Sequence, residues 1–533
     1  MGRTQDASIS GRAVGSAPPV REAGRKTGKR GEVSTSLKPI SREKFGFAEA
    51  RHLLWRAGFG GTPQQIQTLV SWGPEKSVDH IVDYQDVPYD SATLADFDKD
   101  IIRLPTDDER RMIAQARRAN DEETLARLRA RRQTAEQNDR QQIRKVQHAW
   151  IKRMIETPRP LEEKMTLFWH GHFATSYRTI ENSYHMHMQN HLFRAQAAGN
   201  FGELLFAIIR DPAMLAYLDQ NDSRKGMPNE NLAREIMELF ALGVGNYNEN
   251  DIKEGARALT GYTFVDDGFA FQEGNHDNGG KSIFGKKGNY DGDGFVRAIL
   301  EHRACAPFIT RKLYNYFVAE TPCGREHIDK AAKSVVRDLS GTLLSNRYAI
   351  RPVLRKLFLS EHFYDGAVMG EQIKSPVDLV IGAVRSLNTP VRDLGVLADA
   401  MNLMGQNLFF PPSVAGWAGG RSWINTSTMF VRQNILCFLL TGKMPVGYDA
   451  LANSEKFDPS PLLSELAAAD AGAATDPARV VDYVMRFALG GAGENEQNRQ
   501  TLLAFAGEHG RLTPDVITGL LLLVTAMPEY QLC

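Results

Sequence analysis

Apolar side chains recur at three- and four-residue intervals through most of this chain beyond residue 45, the spacing that lays one buried stripe along an α-helix. Strands enter only where that period breaks. The stretch FGFAEARHLLWRAGFGGTPQQIQTLVSWGPEKSVDHIVDY sets the pattern. It predicts an amphipathic helix, a break at Gly60 and Gly61, then a second helix with Thr62 as N-cap and Pro63 in its first position. The period fails near 262–285, where short β-type runs at 262–265, 269–272 and 282–284 surround a loop rich in Gly and Asn. The expected fold is mainly α: a large multi-helix domain with a small β-hairpin-like insertion near 262–285.

Charge and cysteine usage narrow the function classes. The 533 residues hold 64 Lys plus Arg against 64 Asp plus Glu, so the chain lacks the positive field that drives phosphate-backbone binding, and nucleic acid is not an expected partner. Cys305, Cys323, Cys437 and Cys533 form no C-x-x-C pair, which argues against a zinc ribbon, a redox motif or a disulfide framework. The longest apolar run, VITGLLLLVTAM, falls short of the roughly 20 residues that span a bilayer. No transmembrane segment is expected.

Composition also divides the chain. Residues 1–44 carry ten basic and four acidic side chains and no apolar block, so a disordered basic tail is expected there. Without an apolar signal region the expected location is cytoplasmic. The main helical domain spans 45–440. Within it, 107–156 is a polar stretch whose mixed charges predict a solvated helical hairpin or arm. AAADAGAATDP makes 441–477 linker-like. A last helical segment, 478–533, is expected to pack back on the main domain.

Candidate chemistry begins at FWHGHFATS. Pro158 and Pro160 stop the preceding helix, 161–169 form the next, and Gly171 fits a helix end. His170 and His172 then sit at a terminus, where both rings can turn toward one point. His187 and His191 stand at i and i+4, a spacing that can hold a metal. In GMPNENLAREIMELF, Glu230, Asn231, Arg234, Glu235 and Glu238 share one helix face, and Glu235 and Glu238 are spaced like the carboxylate ligands of helical metal sites. The loop GNHDNGGKS carries His276, Asp277 and Lys281. Its glycine spacing does not match a phosphate loop. NYDGDG starts like a calcium loop but lacks the closing Glu, and Asp291 fits there as a helix N-cap. Trp417 and Trp423 can anchor their loop or stack on a sugar or other ring.

HLLWRAGFG, EKMTLFWHGHFATS, RDPAMLAYLD, PNENLAREIMELFALGVGNY, ARALTGYTF, HDNGGK, GNYDGD, KSPVDLV, MGQNLFFPPSVAGWAGG and WINTSTMFVRQN follow one another along the chain. Together they resemble the bacterial domain of unknown function 1800 family, from about residue 46 to AMPEYQL. The resemblance implies a large, mostly helical bacterial protein with no established reaction and, by analogy, a sulfatase-like partner. It carries His170, His172, Asn229, Glu230, Asn231, Arg234, Glu235, Glu238, His276, Asp277, Lys281, Trp417 and Asn425. His185, His187 and His191 fall at variable positions, and Gln196 stands where His is common. Many relatives bear an export signal, which leaves the compartment open.

Two functional expectations follow. The first is a metal-dependent, hydrolase-like enzyme with His170, His172, Glu235, Glu238, His276 and Asp277 as catalytic residues. His170, His172, Glu235 and Asp277 would hold a zinc, manganese or iron ion that activates water, and Asn229, Asn231, Arg234, Lys281, Trp417 and Asn425 would contact substrate. The alternative is a non-enzymatic binding or assembly protein acting with a sulfatase-like partner, in which His170, Glu235 and Asn231 form a buried polar network. A nucleophile at Ser176 or Ser183 ranks third. Convergence of the imidazoles and carboxylates in one open pocket distinguishes the first two.

Overall fold

Thr62 does cap a helix, Pro63–Trp72, in a reciprocal box with Gln65, and it follows the predicted helix Phe47–Arg56. The computed structural model describes residues 33–89, 97–103, 105–390, 392–443, 457–469, 472–490 and 496–533. Among these residues helices dominate, and the sheet content is two antiparallel two-stranded pieces. Tyr262–Val265 pairs with Gly268–Phe271, and Lys281–Ile283 pairs with Lys286–Gly288. The mainly α expectation and its β insertion therefore hold, with the insertion running a few residues past 285. Asp291 accepts the Gly294 N–H at 2.7 Å and caps helix Gly292–Glu301.

At the centre lies helix Pro160–His172, in which every side chain from Leu161 to His170 is buried, and His172 with them. A helix covered on all sides must neutralise whatever charge it carries. Glu163 accepts from Trp150 Nε1 at 2.9 Å and from Arg194 at 2.8 Å, and it also pairs with Arg153. Lys164 pairs with Asp378. Helix Ser183–Ala195 packs on this core helix, as does the inner half of helix Glu122–Glu156.

The charged stretch forms helix Asp107–Ala119 and helix Glu122–Glu156, joined at Asn120 in the left-handed region. Fully buried side chains on the longer helix begin at Asp139. Upstream of Asp139, ion pairs such as Arg131 to Glu109 at 3.1 Å link the two helices. Exposed pairs of this kind contribute about 0–1 kcal/mol each.

The first and last described segments meet the body directly. Residues 33–44, assigned by composition to the tail, are placed in the structure: Val33 and Ile40 are buried, and the Ile40 N–H donates to the Leu359 carbonyl at 2.8 Å. Residues 1–32 lie outside the described residues. Two apolar side chains and hydrogen bonds such as Glu361 N–H to the Lys38 carbonyl at 2.9 Å and Ser34 N–H to Asp365 at 2.9 Å seat this strip, which a composition average over 44 residues conceals. In the linker-like span, helix Ser460–Ala469 is present, while 444–456 and 470–471 lie outside the described residues. Helix Pro514–Thr525 packs against helix Thr426–Thr441. The chain then closes through Lys374 N–H to the Gln531 carbonyl and Cys533 N–H to the Gln372 carbonyl, at 2.8 and 2.9 Å. All four cysteines are free. Among the described residues no helix is long and apolar enough to cross a membrane.

Candidate functional site

The histidine pair does not sit at a loose helix end. Helix Pro160–His172 runs past Gly171 and closes at Phe173, where the sequence expectation stops it near 169. Residues two apart in a continuous helix diverge by about 200°, so the rings part. His170 Nε2 accepts the Phe409 N–H at 3.0 Å, within rings of Trp150, Phe409 and Trp417. His172 Nε2 donates to the Phe240 carbonyl at 2.9 Å, since a carbonyl can only accept. Burial holds both imidazoles down to about 3, with Lys312 adding to the effect at His172. Both are neutral core groups.

The carboxylate face is built on helix Asn231–Glu235, which widens into a π-helical turn over Ile236–Ala241. Of the shared face, Glu230 and Arg234 stay paired, while Glu238 lies on the π turn and takes another partner. Arg234 bridges Glu230 and Glu249, each at 3.1 Å, while Glu238 accepts from the Tyr247 hydroxyl at 2.7 Å. Half-buried Glu235 is raised by its burial and by Glu238. Asn229 is spent on its own turn, donating to the Asp219 carbonyl at 2.9 Å and accepting the Asn231 N–H at 2.9 Å. The Asn231 residue itself is exposed.

The loop candidates are likewise engaged. His276 Nδ1 donates to the Thr260 carbonyl at 2.8 Å. Asp277 pairs with Arg257 at 2.8 Å, and that hydrogen bond holds its carboxyl at about 2. Buried Lys281 donates to the Asp277 and Gly279 carbonyls at 2.5 and 3.2 Å. Together they fasten the loop to helix Glu249–Ala258. Ser183, too, is occupied, with its hydroxyl on Asp139 at 2.5 Å.

The expected metal set of His170, His172, Glu235 and Asp277 is therefore not brought together. Among the described residues no three His, Cys, Asp or Glu side chains group so as to hold a metal. The physical reason is that three of the four answer to different local partners: a backbone N–H, a carbonyl and a guanidinium.

Three of the expected residues do converge elsewhere. A cavity of about 340 Å3 opens beside the Gly-Trp segment, at the small end of the roughly 300–1,000 Å3 range of small-molecule sites. Leu403, Met404, Pro412, Trp417, Ala418 and Trp423 give it apolar walls. Its polar groups are Ser422, Asn425 and Thr428, and among the described residues no charged side chain lines it. Asn425 caps helix Thr426–Thr441 through Oδ1, which accepts the Thr428 N–H at 2.9 Å. Its amide nitrogen makes no hydrogen bond among the described residues. Thr428 Oγ1 donates to the Trp423 carbonyl at 2.9 Å and fixes that indole's backbone. Among the described residues the buried Trp417 Nε1 finds no acceptor, a state that costs about 1–3 kcal/mol.

His170 belongs to this cavity through its wall. The Phe409 backbone it holds lies at φ 68°, between the wall residues Met404 and Pro412, and its ring meets Trp417 edge-on at 5.5 Å. Gly416, at φ 76°, lets the Trp417 loop approach so closely that a Cβ there would run into the Gly171 carbonyl. Glu320, which the sequence reading missed, sets its carboxylate against Gly419 and Gly420, and burial of that carboxylate raises its pKa although the residue as a whole is exposed. No local motif marks it. Met404, Gly405, Pro412 and Thr428 were also missed as lining residues, though they lie within or beside the stretches MGQNLFFPPSVAGWAGG and WINTSTMFVRQN.

Residues 52–532 match the family described as Protein of unknown function (DUF1800). The chain belongs to this family. Neither a curated protein nor a solved structure matches it. Membership in DUF1800 covers nearly the whole folded body, from the helix that carries His52 to the closing contact of Leu532 with Ile373, and it assigns no reaction.

Proposed function

We propose that this DUF1800 protein binds a small uncharged ring compound, a sugar ring foremost, in the cavity lined by Trp417 and Trp423. The observation that carries this reading is the pairing of two indoles with an entirely uncharged polar set in a space of about 340 Å3. Indole faces stack on the C–H faces of rings, and a few fixed polar groups set the orientation. The Asn425 amide nitrogen supplies donors for a ring hydroxyl, and Ser422 Oγ, which donates to the Gly419 carbonyl at 2.5 Å, keeps lone pairs to accept one. The absence of lining charge disfavours phosphates, carboxylates and ammonium ions, whose desolvation would go uncompensated.

Asn425→Asp provides the test. Asp caps a helix as well as Asn, so the unfolding midpoint should hold, while the donors vanish and a charge enters. Binding of a neutral sugar, followed by tryptophan fluorescence and calorimetry, should weaken roughly fivefold or more, the loss of about 1 kcal/mol for one hydrogen bond. Equal affinity in both proteins, or no response of the wild type to a panel of neutral sugars and ring compounds at millimolar concentration, removes the reading. A metal-dependent hydrolase centred on His170, His172, Glu235 and Asp277 draws no support from the separate engagements of His170, His172 and Asp277. The sulfatase-like partner rests on the family resemblance alone.

A further inference from the structure

Helix Ser183–Ala195 carries His185, His187 and His191. His185 is committed, its Nε2 donating to the Asp266 carbonyl at 2.9 Å. His187 and His191 are not: among the described residues no ring nitrogen of either makes a hydrogen bond. They stand one turn apart on the same face, with ring centroids 4.3 Å apart and planes at 67°. At that separation one nitrogen from each can reach a common ion at about 2.0–2.1 Å. Phe97 lies on the His187 ring at 4.6 Å and holds its plane, while the His191 residue is exposed. The pair thus has a fixed wall and an open side.

The surrounding charge tolerates a cation. Arg194 and Arg153 face the pair, and both are tied to the buried Glu163 carboxylate, with Arg153 bonded to Glu162 as well. Burial lowers the pKa of both histidines, aided by Arg194 and, for His187, by His191. Neutral imidazole is the ligating form.

We propose that His187 and His191 form a two-point site for a divalent transition-metal cation, with water completing the coordination shell. Imidazole pairs select Zn2+, Ni2+ or Cu2+ over Mg2+ or Ca2+. The site shares no residue with the lining of the Trp417 cavity and does not depend on it. Because the ion bridges successive turns, binding stabilises this helix in the folded state.

The test uses full-length protein stripped with a chelator, and Ni2+ and Zn2+ as probes. Binding is read at 25 °C by competition with a chromophoric chelator, alongside the melting midpoint with and without metal. Wild type should bind one Ni2+ that is lost in both His187→Gln and His191→Gln, each weakening affinity about 100-fold as chelation reduces to a single contact. The metal-dependent rise in midpoint should disappear with it. Circular dichroism and the metal-free midpoint establish that both variants fold. Equal Ni2+ affinity in wild type and the two folded variants overturns the proposal, as does Mg2+ binding as tightly as Ni2+.

Discussion

His170 and His172 offer the sharpest test of whether the histidine pair is core or chemistry. Each is buried, and that burial holds it down to about 3, well below the ordinary imidazole value of 6.5. The unfolded chain therefore takes up these protons near pH 6.5 while the native protein refuses them. The stability each contributes is complete above that value and is lost as pH falls toward about 3. Between pH 7 and pH 5 the linkage relation gives a loss of about 2 kcal/mol per histidine. The perturbations are His170→Gln, which keeps an acceptor for the Phe409 N–H, and His172→Gln, which keeps a donor for the Phe240 carbonyl. Chemical denaturation at the two pH values should show each variant losing about 2 kcal/mol less than wild type over this interval, and the double variant about 4 kcal/mol less. An unchanged pH dependence in both single variants would refute the sealed, neutral assignment. Titration of either ring near pH 6 by NMR would do the same.

Other outcomes follow from the same contacts. Gly416→Ala sets a Cβ against the Gly171 backbone at positive φ, and thermal unfolding should register a loss of about 2 kcal/mol or more. Gly420→Ala meets the movable end of Glu320 instead, so Glu320→Ala should recover part of its loss and none of that from Gly416→Ala. Glu163→Gln leaves Arg153 and Arg194 without their shared buried counter-ion; denaturation should show a loss of about 3 kcal/mol, and a change under 1 kcal/mol would contradict the network.

Much of the local architecture was legible in the sequence because it is set within a few residues. Thr62 and Asp291 announce helix starts by chemistry at N3, and the strand pairs declare themselves by a break in period. The histidine pair was misread because its fate is decided across the chain: His170 meets Phe409, 239 residues away in sequence, and His172 meets Phe240, 68 away. Those contacts hold the helix together through Gly171, where a local rule ends it. Glu238 turns to Tyr247 instead of Arg234 for a related reason, since spacing rules assume 3.6 residues per turn and the π turn at Ile236–Ala241 does not obey them. Trp417 and Trp423 stood out by their ring chemistry in a Gly-rich loop and Asn425 through resemblance, whereas Glu320 acts on its glycines from a loop that no local pattern singles out.

Helix Glu122–Glu156 has a mechanical consequence. Its 35 residues extend about 52 Å at 1.5 Å per residue, and the half ahead of Asp139 accounts for about 25 Å of that length. Asp139 is the fulcrum of this lever, gripping the Tyr177 hydroxyl at 2.7 Å and the Ser183 N–H at 3.0 Å. Tilting the shaft by about 10° about that point swings its tip through about 4 Å. The same point holds Tyr177, whose N–H donates to the Phe409 carbonyl at 2.9 Å, so the root of the shaft and the backbone between Met404 and Pro412 belong to one hydrogen-bonded chain.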